Sequence, residues 1–160
     1  MKYKQLPSKE RLWELFTYSP LTGVLYRDGA PAGGITAKGY VALRVDGTLY
    51  YAHRLIWKWL YGLDPEDEVD HKNGVGTDNR LCNLRPADRG QQNTNSAKRR
   101  NNRSGFKGVH YYPQLNKWMA QIQKNKKKYH LGYFATAEEA AAAYDAASRD
   151  LHGEFGRSNA

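Results

Sequence analysis

Asp70 and His71 are adjacent, and Asn79 and Asn83 follow within a dozen residues. Hydrolysing a phosphodiester needs a base to activate water, a cation to neutralise charge on the phosphate and leaving oxygen, and a frame to hold both. A carboxylate beside an imidazole at one strand end divides the first two tasks. Adjacent strand residues point to opposite faces, so a local bend must bring both into play. The glycine-rich loop Lys72 to Arg80, with Asn73-Gly74 and Gly76, supplies such a bend. An asparagine amide binds Mg2+ through its oxygen, or ties loop backbone as donor and acceptor together. Each of Asn73, Asn79 and Asn83 alone reads as a turn residue, and His71 alone as a surface histidine. The whole pattern, followed by Gln91-Gln92-Asn93, is far more specific.

The elements around this cluster are short. Ser8 caps a helix in which Leu12, Leu15 and Phe16 recur at helical spacing. Ser19 to Gly23 is a turn, and Val24-Leu25-Tyr26 a strand. Gly39 to Val45 and Thr48 to Ala52 form a hairpin about Asp46-Gly47. Arg54 to Tyr61 is a helix stopped by Gly62. Glu68 to His71 is a strand, Leu81 to Leu84 returns, and a helix runs from about Asp88 to Lys98. Beyond Gly105 the pattern changes to three antiparallel strands, Lys107 to Tyr112, Lys117 to Gln123 and Lys127 to Phe134. Thr136 and Glu139 form a capping box for an Ala-rich helix to about Leu151. The fold class is α+β.

The chain has 160 residues, 40% of them hydrophobic, and a net charge of +9. That composition suits one ordinary domain or two small ones. Residues 89–137 hold eleven Lys and Arg and no Asp or Glu, so the remainder is slightly acidic. A basic block interleaved with Tyr and Trp suits a polyanion, nucleic acid above all. No apolar run is long enough to span a bilayer, and Met1 to Glu10 lacks an apolar signal core. A soluble, cytoplasmic protein without membrane contact is expected. Cys82 is the lone cysteine, so it makes no intramolecular disulfide and no Cys-x-x-Cys zinc site. It reads as a small buried residue.

Val69-Asp70-His71-Lys72-Asn73-Gly74 through Asp78-Asn79-Arg80-Leu81-Cys82-Asn83-Leu84-Arg85 resembles the HNH homing endonucleases of phages. Tyr18 to Gly23, Gly39-Tyr40 and Ala52-His53-Arg54-Leu55 extend the likeness over roughly residues 6–100. The resemblance implies a ββα-metal core at about residues 66–98, built around one Mg2+ or Mn2+ ion. It implies that His71 is the general base, that Asp70 binds the ion and that Asn83 holds the histidine loop, with Asn79 bracing it. Family members carry a further His or Asn ligand about nine residues after Asn83. The register gives Gln92, while the shorter side chain next door favours Asn93. His53 reads as a packing residue near the site. A phage protein acting in a bacterial host is implied.

Gly105-Phe-Lys-Gly-Val-His, Lys117-Trp-Met-Ala-Gln-Ile, Leu131-Gly-Tyr-Phe and Thr136-Ala-Glu-Glu-Ala resemble the APETALA/ethylene-response-factor DNA-binding domain over residues 104–158. That family lays a three-stranded sheet, backed by one helix, in the major groove of duplex DNA. The likeness puts Lys107, His110, Tyr112, Trp118, Gln121, Gln123 and His130 on the DNA, although Trp118 reads equally as core. Lys124 and Lys126 to Lys128 would serve phosphates. The expected layout is a nuclease domain over 1–96, a basic linker over 97–104 with Arg99, Arg100 and Arg103 tracking DNA, and the sheet domain over 105–160. The expected activity is metal-dependent DNA cleavage, a nick from a single site, with no obligate protein partner. The alternative is a DNA-binding regulator whose nuclease half is weak or inactive. RNA is disfavoured because A-form RNA closes its major groove to side chains.

Overall fold

In a computed structural model, described for residues 4–96, 98 and 101–159, the chain divides into two units, Met1–Asp88 and Arg89–Ala160. Ala97, Arg99 and Arg100 of the expected linker lie outside the described residues.

The first unit opens with α1 (Lys9–Leu15), whose Ser8 cap accepts from the Arg11 N–H at 3.1 Å. Strands β1 (Thr17–Ser19), β2 (Val24–Arg27) and β3 (Ala30–Pro31) form one antiparallel sheet. Strands β4 (Gly34–Ile35), β5 (Val41–Val45) and β6 (Thr48–Tyr51) form another. Positive φ at Asp46 and Gly47 makes the tight β5–β6 turn expected of that dipeptide. Helix α2 (Ala52–Tyr61) ends at Gly62, which is left-handed with φ 75°. Leu12, Leu55, Ile56 and Val45 are exposed by 1% or less and, with Leu25, Val69 and Leu84, make the core. Strand β7 (Glu68–His71) pairs antiparallel with β8 (Leu84–Ala87), setting Asp70 opposite Arg85 and His71 opposite Leu84.

The second unit starts with α3 (Arg89–Asn95). Residues 101–106 form a hydrogen-bonded turn: Asn102 Nδ2 donates to Phe106 O at 2.8 Å and Ser104 Oγ to Val109 O at 2.7 Å. Strands β9 (Val109–Tyr112), β10 (Lys117–Lys124) and β11 (Lys127–Phe134) follow as an antiparallel meander with β10 central. The first strand starts at Val109 rather than Lys107. Gly108 has φ 76°, and a Cβ there would lie 2.1 Å from the Tyr144 ring, so the chain bends to clear it. Helix α4 (Ala137–His152) carries the Thr136/Glu139 capping box. Its Ala137, Ala140 and Ala141 pack with Val109 and Ala120, small residues that let helix and sheet approach closely. Among the described residues no helix is long and apolar enough to cross a membrane.

Candidate functional site

Asp70 and His71 end β7, and both are buried, at 6% and 4% exposure. Asp70 faces its ladder partner: Arg85 Nε and Nη2 both donate to its Oδ2, at 3.1 and 2.9 Å. This ion pair fixes the carboxylate and balances its charge.

His71 points to a different partner. Its Nε2 lies 2.9 Å from Asn79 Oδ1. An amide oxygen only accepts, so Nε2 carries the hydrogen and the lone pair of the neutral ring sits on Nδ1. Burial lowers the His71 pKa, while the Asn79 bond and the Asp70 charge oppose that shift. The neutral imidazole, the form a base requires, is thereby favoured.

Rings wall this histidine. The His53 ring meets it edge-on at 5.1 Å, and the Tyr40 ring lies 5.8 Å away. Tyr51 stacks on His53 at 5.5 Å with only 12° between planes. His53 is 7% exposed, and its Nδ1 has no hydrogen-bond partner among the described residues. Burial first, then the neighbouring His71 and Arg54, push its pKa down to about 3. A Cβ at Gly76 would lie 2.7 Å from the Tyr40 ring, so the loop passes flat over this wall.

The loop is tied at several points. Asn83 Nδ2 donates to Asn73 Oδ1 at 3.0 Å and to Asp78 O at 2.7 Å. Asn83 Oδ1 accepts from Asn73 N, and Asn83 O from Lys72 N. Asp78 takes Arg80 Nε and Nη2 at 2.7 and 2.6 Å, a pairing that drives its carboxyl far below the usual range. Asn79 is 2% exposed, and its carbonyl accepts from Tyr18 Oη at 2.9 Å. Gly23 makes this docking possible, because a Cβ there would sit 2.4 Å from Arg80 N. Asn83 thus holds the loop, and Asn79 reaches the imidazole itself. Sequence reasoning missed Tyr40, Tyr51 and Gly23 as parts of this site. Cys82 is exposed, not buried, because the 3-10 turn Leu81–Asn83 turns Asn83 inward and leaves Cys82 outward.

Gln92 and Asn93 lie on α3 in the second unit, half-buried and exposed respectively. Among the described residues no cluster of three or more His, Cys, Asp or Glu offers a metal cage. Carboxylate and amide oxygens, taken as residue types, are hard donors of the kind that divalent cations accept beside water.

The second unit's sheet has two unlike faces. Trp118, Ala120 and Ile122 share the face toward α4, and Trp118 packs half-buried on that core with Tyr111 at 5.3 Å. On the other face Met119 stands between His110 and Tyr133, Gln121 opposite His130, and Gln123 opposite Lys128. Tyr133 touches Tyr112 at 5.1 Å and His130 at 4.6 Å. Three of the expected DNA-contacting cations have varied settings. Lys124 Nζ donates to Leu151 O at 2.6 Å, Lys107 Nζ to Thr94 O and Ser96 O, and Arg103 is exposed.

Residues 50–93 match the family model described as HNH endonuclease, and residues 104–154 match the AP2 domain. An ethylene-responsive transcription factor of Arabidopsis thaliana is 46% identical over 57 residues, 34% of this chain and 22% of the relative. The chain thus spans about a fifth of that relative's length. No solved structure matches it.

Proposed function

We propose that this chain, with its HNH endonuclease and AP2 domain matches, is a divalent-metal-dependent DNA endonuclease of the homing type, acting in a phage-infected cell. One observation carries the reading: a buried His71 held by Asn79 as the neutral tautomer, directly after a carboxylate. In this mechanism His71 Nδ1 takes the proton from the attacking water, and Asn79 keeps the ring in register for that transfer. Asn83 and Asn73 keep the loop from swinging the ring away. Asp70, with Gln92 or Asn93, would hold Mg2+ or Mn2+. When bound, the ion supplies positive charge for the phosphate and the leaving oxygen. One site per chain cuts one strand, so a nick is the expected product.

Duplex DNA is taken by the second unit. His110, Tyr112, Gln121, Gln123 and His130 suit base edges, with Tyr133 added from the same face. Exposed Arg103 and Lys128, with Arg99 and Arg100, would meet phosphates. Trp118 then acts as core support beneath that face.

A second reading has one observation in its favour. Arg85 already occupies Asp70 Oδ2, which competes with a cation and suits a regulator that binds DNA without cutting. Plasmid incubated with Mg2+ or Mn2+ decides between them. Relaxed circles from the wild type but not from His71→Ala support the endonuclease. DNA binding without cutting at any metal or salt supports the regulator and sinks the enzyme.

A further inference from the structure

Lys107 occupies a position where the AP2-like resemblance expects a DNA contact, yet its ammonium is engaged elsewhere. Nζ donates to Thr94 O at 2.5 Å and to Ser96 O at 2.8 Å. Arg157 Nη1 reaches Asn95 O, between them, at 3.5 Å. Three consecutive carbonyls at the C-terminal end of α3 therefore face two cations. The last carbonyls of a helix have no partner from its own regular ladder, and a helix C-terminus carries the negative dipole end.

The cations themselves are anchored. The Lys107 backbone N–H donates to Asn159 Oδ1 at 2.6 Å, and Asn159 Nδ2 returns a bond to Lys107 O at 3.3 Å. Asn159 is in turn bound to Asp145 on α4, its N–H donating at 2.8 Å. Gly156 lies so close to Ser148 that a Cβ would fall 2.6 Å from Ser148 O. The tail that carries Arg157 is thus pinned on α4. Burial and the nearby Arg157 push Lys107 down to about 8, as expected of an ammonium withdrawn from solvent.

A seven-residue helix is too short to hold itself in water. Something must fix α3, and the same helix carries Gln92 and Asn93. We propose that Lys107 and Arg157 form a clasp that locks α3 to the sheet-and-helix body, making Lys107 a positioning residue for the amides of Gln92 and Asn93 instead of a phosphate contact. The link to the amides rests on the nuclease reading; the clasp itself does not.

Lys107→Met keeps the aliphatic stem and removes the ammonium, and the full chain is the right object to test. The clasp predicts that amides at 93–96 exchange with solvent at least ~10-fold faster, while β10 amides stay protected. It predicts an unchanged slope of log affinity for duplex DNA against log salt. Under the nuclease reading, nicking at limiting Mg2+ also falls at least ~10-fold and recovers partly with added Mg2+. Unchanged exchange at 93–96 overturns the clasp. So does a slope shallower by about 0.9, the mark of a lost phosphate contact. Unchanged nicking overturns the link to Gln92 and Asn93. If Lys107→Met exposes the β10 amides, Arg157→Met is judged by the same exchange and slope criteria. A wild type that never cuts sinks the nuclease reading alone, because exchange still decides the clasp.

Discussion

The two units treat their polar residues in opposite ways. In the first, Asp70, His71, Asn79 and Asn83 are all buried, and each is tied to a named partner. In the second, Gln123 and His130 stand exposed on a sheet face, with His110, Tyr112 and Gln121 only half-covered. The contrast fits the tasks proposed for the two units. A proton acceptor must be held within a fraction of an ångström, and it gains from low dielectric around it. Groups that read base edges must remain open until DNA arrives. Rigidity and satisfied hydrogen bonds mark one site, while availability marks the other.

The largest loss of stability is expected at Asp70. Asp70→Ala removes the carboxylate that a buried guanidinium faces, which typically destabilises by about 3–5 kcal/mol. Urea denaturation followed by fluorescence reads this, since Trp13, Trp57 and Trp59 belong to the first unit. Equal stability of variant and wild type would mean that the pair does not brace β7 against β8.

Between pH 6 and 4 a smaller effect is expected from acid. His53 titrates at about 3 when folded and near 6.5 when unfolded. Between those values the unfolded chain holds the proton and the folded one does not. Stability contributed by neutral His53 is therefore lost as pH falls below about 6.5, by up to about 1.4 kcal/mol per pH unit. The lowered pKa of His71 acts in the same direction. His53→Phe keeps a ring in the wall and should flatten the slope between pH 6 and 4. A slope identical to wild type contradicts the buried, neutral assignment.

The smallest effect on the fold belongs to the open face. Gln121→Ala should leave stability within about 0.5 kcal/mol. It should also weaken discrimination at a single base pair by about 1–3 kcal/mol, read by competition among duplexes. A loss of stability as large as that of Asp70→Ala would erase the distinction between the two units.

Local chemistry made much of this fold legible. Ser8, the Asp46-Gly47 turn, Gly62 and the Thr136/Glu139 box each act over a few residues, and each appears where those residues require. The candidate loop was legible as a set of residue types, but the division of labour within it was not. Asn79 meets His71 because Gly23 and Tyr18, some sixty residues upstream, press the loop backbone into place. The ring wall depends on Tyr40 arriving from just before β5 and Tyr51 from the end of β6, a contact that no local spacing encodes. Tyr133 hides for a different reason. The irregularity between Ala120 and Gln121 leaves Leu131 as an extra residue, so strict alternation from His130 assigns Tyr133 to the wrong face. The resemblance places Lys107 on DNA, and no local spacing shows that the tail folds back upon it.

If His71 is a held, neutral base, its loss abolishes cutting and spares DNA binding. Single-turnover nicking of plasmid in Mg2+, with duplex affinity measured in parallel, tests it most directly for wild type and His71→Ala. Nicking by the variant is expected to fall about 10²–10⁴-fold with affinity unchanged. Nicking by His71→Ala at the wild-type rate would contradict it.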